Sequence, residues 1–244
     1  MINAHGKMGL QVWTPSVLDM QLGLEQIQRL TKEAGILLVA SNLDLDKKYG
    51  SMKKILKLKS GKLTVGIIGL VGNHDKLPEG VTIRDPEKIT REMVKTLTNS
   101  SEPVDLIIVL SNMGIKKDQQ LAQHVDGIDF IFSAGDDRMV IIPRKIGHSL
   151  LFEPYKQGEY LGLVSLKFHH LPLGRLVNEF DILKIRRKIQ KKEGDQAALR
   201  TKLEKLYGSN LLRTVLHPIG SDIKDDPELV KMVEDQLSKE AVLP

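Results

Sequence analysis

The chain has 244 residues, of which 41% are hydrophobic and 27% charged, which excludes a disordered, collagen-like or disulfide-stapled protein and allows one large or two modest domains. Cysteine is absent, so disulfides, thiolate metal sites, iron–sulfur ligation and cysteine nucleophiles are excluded together. The net charge of +5 is local: nine Lys/Arg and three Asp/Glu fall between Ile182 and Tyr207 and the rest is nearly neutral, so a protein-wide affinity for nucleic acid has no support.

In chain order, Leu18, Leu22, Ile27 and Leu30 predict a helix over 16–32 that stops at Gly35, followed by a buried strand over 36–40. Lysines alternating with Ile55, Leu56 and Leu58, a Ser60-Gly61 turn and the apolar run 63–69 predict a hairpin of an edge strand and an interior strand. Asp85-Pro86-Glu87 supplies an N-cap and a first-turn proline for a helix carrying Ile89, Met93, Val94 and Leu97. Strands follow at 104–110 and 128–132, flanking a short helix at 117–124, with two further strands at 139–142 and 161–167. Alternating elements of this kind predict an α/β layered sandwich with a partly parallel core.

From Leu171 onward the strand signal stops. Ile182, Ile185, Ile189, Leu199, Leu203 and Leu206 share one heptad frame, interrupted by Gly194, so one coiled-coil helix and two shorter helices are both open. The seam suits a partner helix, in the same chain or a second copy. Asp226-Pro227-Glu228 opens a last helix. The expected organisation is therefore a domain over 1–170 and a helical appendage over 171–244. No apolar run reaches the ~18 residues of a membrane span, and the polar residues after Met1 show no signal peptide within this chain, though a longer precursor could carry one.

Gly72-Asn73-His74-Asp75, placed after a strand, is the most suggestive short motif. Binuclear phosphoesterases use an Asn and a carboxylate as metal ligands and a His to protonate the leaving oxygen. The upstream Asp-x-His and Gly-Asp partners are missing from residues 1–70, where His5 has Asn3 in place of the Asp. Gly66, Gly69 and Gly72 lack the Gly-x-Gly core of a dinucleotide loop and are read as packing and turn glycines. Asn99-Ser100-Ser101 fits a glycosylation sequon, a common chance triplet, and the basic stretch 184–205 is read first as a solvated helix face.

Several segments in order carry a wider pattern: Asn3 and Gly9, Thr14-Pro15-Ser16-Val17-Leu18-Asp19, Gly23, Val39-Ala40-Ser41-Asn42-Leu43, Val65-Gly66-Ile67-Ile68-Gly69-Leu70, residues 105–111, Gly127-Ile128-Asp129-Phe130-Ile131 and Tyr160-Leu161-Gly162. About two-thirds of the chain thereby resembles the calcineurin-like metallophosphoesterase domain of the 5′-nucleotidase family, beginning partway into that domain. The resemblance implies a truncated α-β-β-α sandwich. It makes the Gly72–Asp75 tetrapeptide a decoy, one strand too late for the family's metal motif. It also implies that the family's metal-binding Asn and catalytic His fall on Pro15 and Ser16, with Asp19 retained at the position that orients that His. The family's Leu-Ser-His becomes Leu110-Ser111-Asn112, and its Gly-His-Ser-His loop becomes Ala134-Gly135-Asp136-Asp137. Asn112, Asp136 and Asp137 are then the residual candidates for a metal.

The expectation is a catalytically degenerate 5′-nucleotidase-like scaffold with a binding or assembly role and no cofactor. The alternative is a phosphohydrolase for nucleotides or related phosphate esters, using two divalent ions such as Mn or Zn with His74 and Asp75. The resemblance further implies an extracytoplasmic setting, and strands missing upstream that would leave a sheet edge exposed.

Overall fold

The structure, a computed structural model, describes residues 2–74, 76–135, 139–154, 159–169, 176–206, 209–219 and 224–240. The N-terminal part consists of α1 (Ile2–Lys7), β1 (Val12–Trp13), α2 (Val17–Met20), α3 (Leu24–Glu33), β2 (Leu37–Leu38) and β3 (Leu43–Leu45). The expected helix over 16–32 is thus two helices, parted at Gly23, whose φ of 100° no long helix can hold. The break turns Leu18 and Leu22 outward, 60% and 73% exposed, while Val17, Met20, Leu24 and Ile27 are buried. The apolar spacing therefore points to the wrong face of α2.

The hairpin of β4 (Leu56–Ser60) and β5 (Leu63–Leu70) forms as its alternation predicts, antiparallel, with Ser60 opposite Leu63. After β6 (Val81–Ile83) comes α4 (Pro86–Thr98), whose first turn is capped where the Asp85 carboxylate accepts the Lys88 N–H at 2.7 Å. Next come β7 (Leu106–Ser111), α5 (Ile115–His124), β8 (Phe130–Ser133), β9 (Met139–Ile146) and β10 (Ser149–Pro154). The main sheet runs in the order β4-β5-β7-β8-β10-β9. Its strands β5, β7, β8 and β10 are parallel, and the unpredicted β10 lies between β8 and β9.

One face of this sheet buries Ile68, Val109 and Ile131 against Val94 and Leu97 of α4 and Leu121 of α5. Leu106, Phe130 and Phe152 on the other face pack against a second sheet, through Leu212 with Val164, Leu166 and Leu176 beside it. That second sheet joins β11 (Tyr160–Lys167), β12 (Leu176–Asn178) and β13 (Asn210–Pro218) in the order β11-β13-β12. The result is a layered helix–sheet–sheet sandwich.

Strand structure does not stop at residue 171. β12 and β13 lie beyond it, and β13 pairs along its length with β11, from Tyr160 opposite Pro218 to Lys167 opposite Leu211. Between β12 and β13 the chain forms α6 (Glu179–Gln190) and α7 (Gln196–Glu204), and α8 (Pro227–Glu240) follows. No continuous coiled-coil helix exists here, because Lys192 and Gly194 take positive φ values of 55° and 73° and reverse the chain. α7 folds back on α6, and α6 packs on β12 and β13. Among the described residues, no helix is long and apolar enough to cross a membrane.

Candidate functional site

The parallel strands β5, β7 and β8 end together, and the loops leaving them meet the segment that opens α2. Glycine lets these backbones approach. A Cβ on Gly69 would stand 2.2 Å from the Val39 carbonyl oxygen, and one on Gly72 would stand 2.5 Å from that of Asn112. No side chain fits at either position without moving backbone.

Asn112 sits at the centre of this junction. Its Oδ1 accepts the Gly72 N–H at 2.7 Å, and its Nδ2 donates to the Pro15 carbonyl at 3.2 Å. Ser16 next to that proline caps α2: the Asp19 carboxylate accepts both the N–H and the hydroxyl of Ser16 at 2.7 Å, and the Ser16 hydroxyl accepts the Asp19 N–H at 3.2 Å. The structure thus brings Asp19 and Asn112 into one hydrogen-bonded neighbourhood. The group held by Asp19 is Ser16, at the position where the resemblance implies a catalytic histidine.

His74 is exposed. Its Nδ1 accepts the Lys76 N–H at 3.3 Å, and its own N–H donates to Asn73 Oδ1 at 3.0 Å. Asp75, Asp136 and Asp137 lie outside the described residues. The histidines of the described chain do not converge: His124 pairs with Glu87 on the surface, for example, and the His169 N–H donates to Asn210.

Two polar networks at the strand ends escaped the sequence reading. Fully buried Asp118, in the first turns of α5, accepts hydroxyl bonds from Ser111 at 2.7 Å and Ser133 at 2.5 Å, tying the ends of β7 and β8 to one helix. Asn42, also fully buried, exchanges two hydrogen bonds with the Val71 backbone, at 2.8 and 2.9 Å. A signal for Asp118 existed, since it falls on the stripe of Ile115, Leu121 and Ala122 that α5 buries. A lone carboxylate on an apolar stripe needs buried donors. Toward the other end of the sheet, Asp129 accepts the Ile107 N–H at 2.8 Å. Burial pushes its carboxyl above the ordinary aspartate range, against the opposing pull of that N–H and of His148.

No family profile matches the sequence. The solved structures do match. A sulfate thiohydrolase, SoxB, from Thermus thermophilus superposes with a TM-score of 0.71 at 16% identity, covering 98% of this chain and 38% of its own. A 5′-nucleotidase precursor, also from Thermus thermophilus, gives 0.68 at 15% identity, covering 97% and 44%. A calcineurin-like phosphoesterase, YfkN, from Bacillus subtilis gives 0.67 at 18%, covering 98% and 72%.

The fold is that of the 5′-nucleotidases and calcineurin-like phosphoesterases.

In sequence, the chain is 31% identical over 137 residues to an apyrase from Aedes aegypti, a match that takes 52% of this chain and 22% of the apyrase. The chain therefore spans less than half the length of most of these relatives. Hydrolases with this fold imply a binuclear metal centre, which needs a converging set of N and O donors. The described residues do not fit one. Asn112 already spends both ends of its amide on backbone, Asp19 is engaged by Ser16 and Asp118 by two serines. Among the described residues, no three His, Cys, Asp or Glu side chains gather where a metal could be held. The phosphoesterase fold is present here with its strand-end polar groups bonded to one another.

Proposed function

We propose that this chain uses the phosphohydrolase scaffold for binding or assembly and not for metal-dependent hydrolysis. The observation that carries the reading is Asn112. It directly follows the C-terminal end of β7, where the resemblance places a metal ligand, yet both ends of its side-chain amide bond backbone, at Gly72 and Pro15. Ser16 supports it, because a hydroxyl hydrogen-bonded to Asp19 cannot serve as a leaving-group acid near neutral pH as an imidazole can. Nucleotides and related phosphate esters remain the substrate class to test, since the 5′-nucleotidase likeness is what suggests them. An extracytoplasmic setting, implied by the same likeness, belongs to this proposal.

The test is elemental analysis of protein re-equilibrated with Mn²⁺ and Zn²⁺ and then gel-filtered, together with release of phosphate from AMP and ATP. The expected result is no stoichiometric metal and no turnover above that of an Asp19→Asn, Asn112→Ala double variant. Two tightly held ions per chain, with turnover abolished by His74→Ala, would overturn the reading and establish the hydrolase alternative.

A further inference from the structure

The α6–α7 hairpin does not seal against the sheets. It leaves a cleft of about 480 Å³ between itself, β9, β10 and β12, within the ~300–1,000 Å³ typical of small-molecule sites. The floor is aliphatic, formed by Leu150, Leu176, Ile185, Leu199, Leu206 and Leu212. The charged side chains around it are Lys145, Lys184, Lys188 and Lys202 against Asp181 alone. None of the four ammonium groups makes an ion pair or a side-chain hydrogen bond with a described residue.

The four lysines border the aliphatic floor and are exposed. An anion bound among them meets positive charge without having to displace an ion pair. The floor offers a nucleobase little to recognise: Phe180 is the one ring in the lining, and Asn178 spends its side-chain oxygen on the Phe180 N–H at 2.9 Å. We propose that this cleft binds an aliphatic anion, a hydrocarbon chain ending in a carboxylate or phosphate, with the chain on the leucine floor and the head group among the lysines.

The proposal is independent of the metal question. Leu150 and Lys145 face each other across β10 and β9, and Leu150 pairs with Phe130 at the start of β8. The cleft therefore opens toward the N-terminal end of the parallel strands, away from Asn112, which follows their C-terminal end.

Calorimetric titration with dodecyl phosphate and with laurate, each below its micelle concentration, tests the site. Saturable 1:1 binding is expected, about fourfold weaker for each methylene removed from the chain. Inorganic phosphate alone should give little heat. Lys184→Glu with Lys188→Glu should weaken binding about tenfold or more. Lys191→Glu with Lys205→Glu, on the same hairpin but outside the cleft lining, should leave it unchanged. If the first pair loses helical signal, Lys145→Gln on the sheet wall gives the same reading without touching the hairpin. A preference between the two ligands assigns the head group. Equal affinity for decyl and dodecyl chains, equal loss in both lysine pairs, or sedimentation with acidic vesicles without binding of the monomeric amphiphiles would overturn the proposal.

Discussion

The two ends of the main sheet use polar side chains in opposite ways. Where β5, β7 and β8 finish, Asn42, Asp118 and Asn112 are bonded to backbone and hydroxyl partners within the chain. Around the α6–α7 cleft, Lys145, Lys184, Lys188 and Lys202 surround apolar surface with no described partner. A bonded network fixes geometry and offers a ligand less, whereas unpaired charges beside a hollow retain their capacity to bind. Among the described residues, the strand-end polar groups are bonded within the chain, and the charges without partners stand around the hairpin cleft.

The sharpest way to break that contrast is Asp118→Ala, which strands two buried hydroxyls and should cost about 2–4 kcal/mol by denaturant unfolding. Asp118→Asn, keeping one acceptor, should cost less. Gly69→Ala comes next at about 1–3 kcal/mol, because its Cβ would meet a carbonyl that has no side-chain freedom to retreat; thermal unfolding reads it directly.

Asp129 supplies a pH signature. Its folded-state value is raised, so the stability it contributes is full below the ordinary aspartate value of 3.8 and is lost as pH rises through the folded-state value. Asp129→Asn should therefore gain on the parent as pH climbs from below 3.8 and then level off. A stability difference that does not vary with pH would show the burial effect to be absent.

Smaller effects come from the hairpin. Lys192→Gly removes a side chain from a left-handed backbone and should stabilise by up to about 1 kcal/mol, seen as a raised Tm. Lys184→Gln should change stability by no more than about 0.5 kcal/mol, since that lysine holds no described partner. The pairing of a costly Asp118 substitution with a nearly neutral Lys184 one is the clearest form of the contrast.

Much of the fold was legible where one residue type decides one local event. The β4–β5 hairpin follows from alternation around Ser60-Gly61, and α4 from Asp85-Pro86. The misses share a cause. β10 reads as Ser149-Leu150-Leu151-Phe152-Glu153-Pro154, without clear alternation, and becomes a strand because β8 and β9 flank it. β13 likewise depends on β11, more than forty residues earlier, and no local window contains that partner. At the candidate site, the residues around Pro15, Ser16, Asp19 and Asn112 could be found by resemblance. Their mutual satisfaction could not, because it depends on loops from three separate strands meeting.

β13 bridges β11 and β12, and it is also the final strand among the described residues. On the ribosome, β11 emerges long before its partner, carrying Val164 and Leu166, which pack beside Leu212 in the finished core. A nascent chain stalled anywhere between Lys167 and Asn210 presents an unpaired apolar strand, open to chaperones or to strands of neighbouring chains. Completion of the second sheet therefore waits until β13 has emerged, whatever has folded before it.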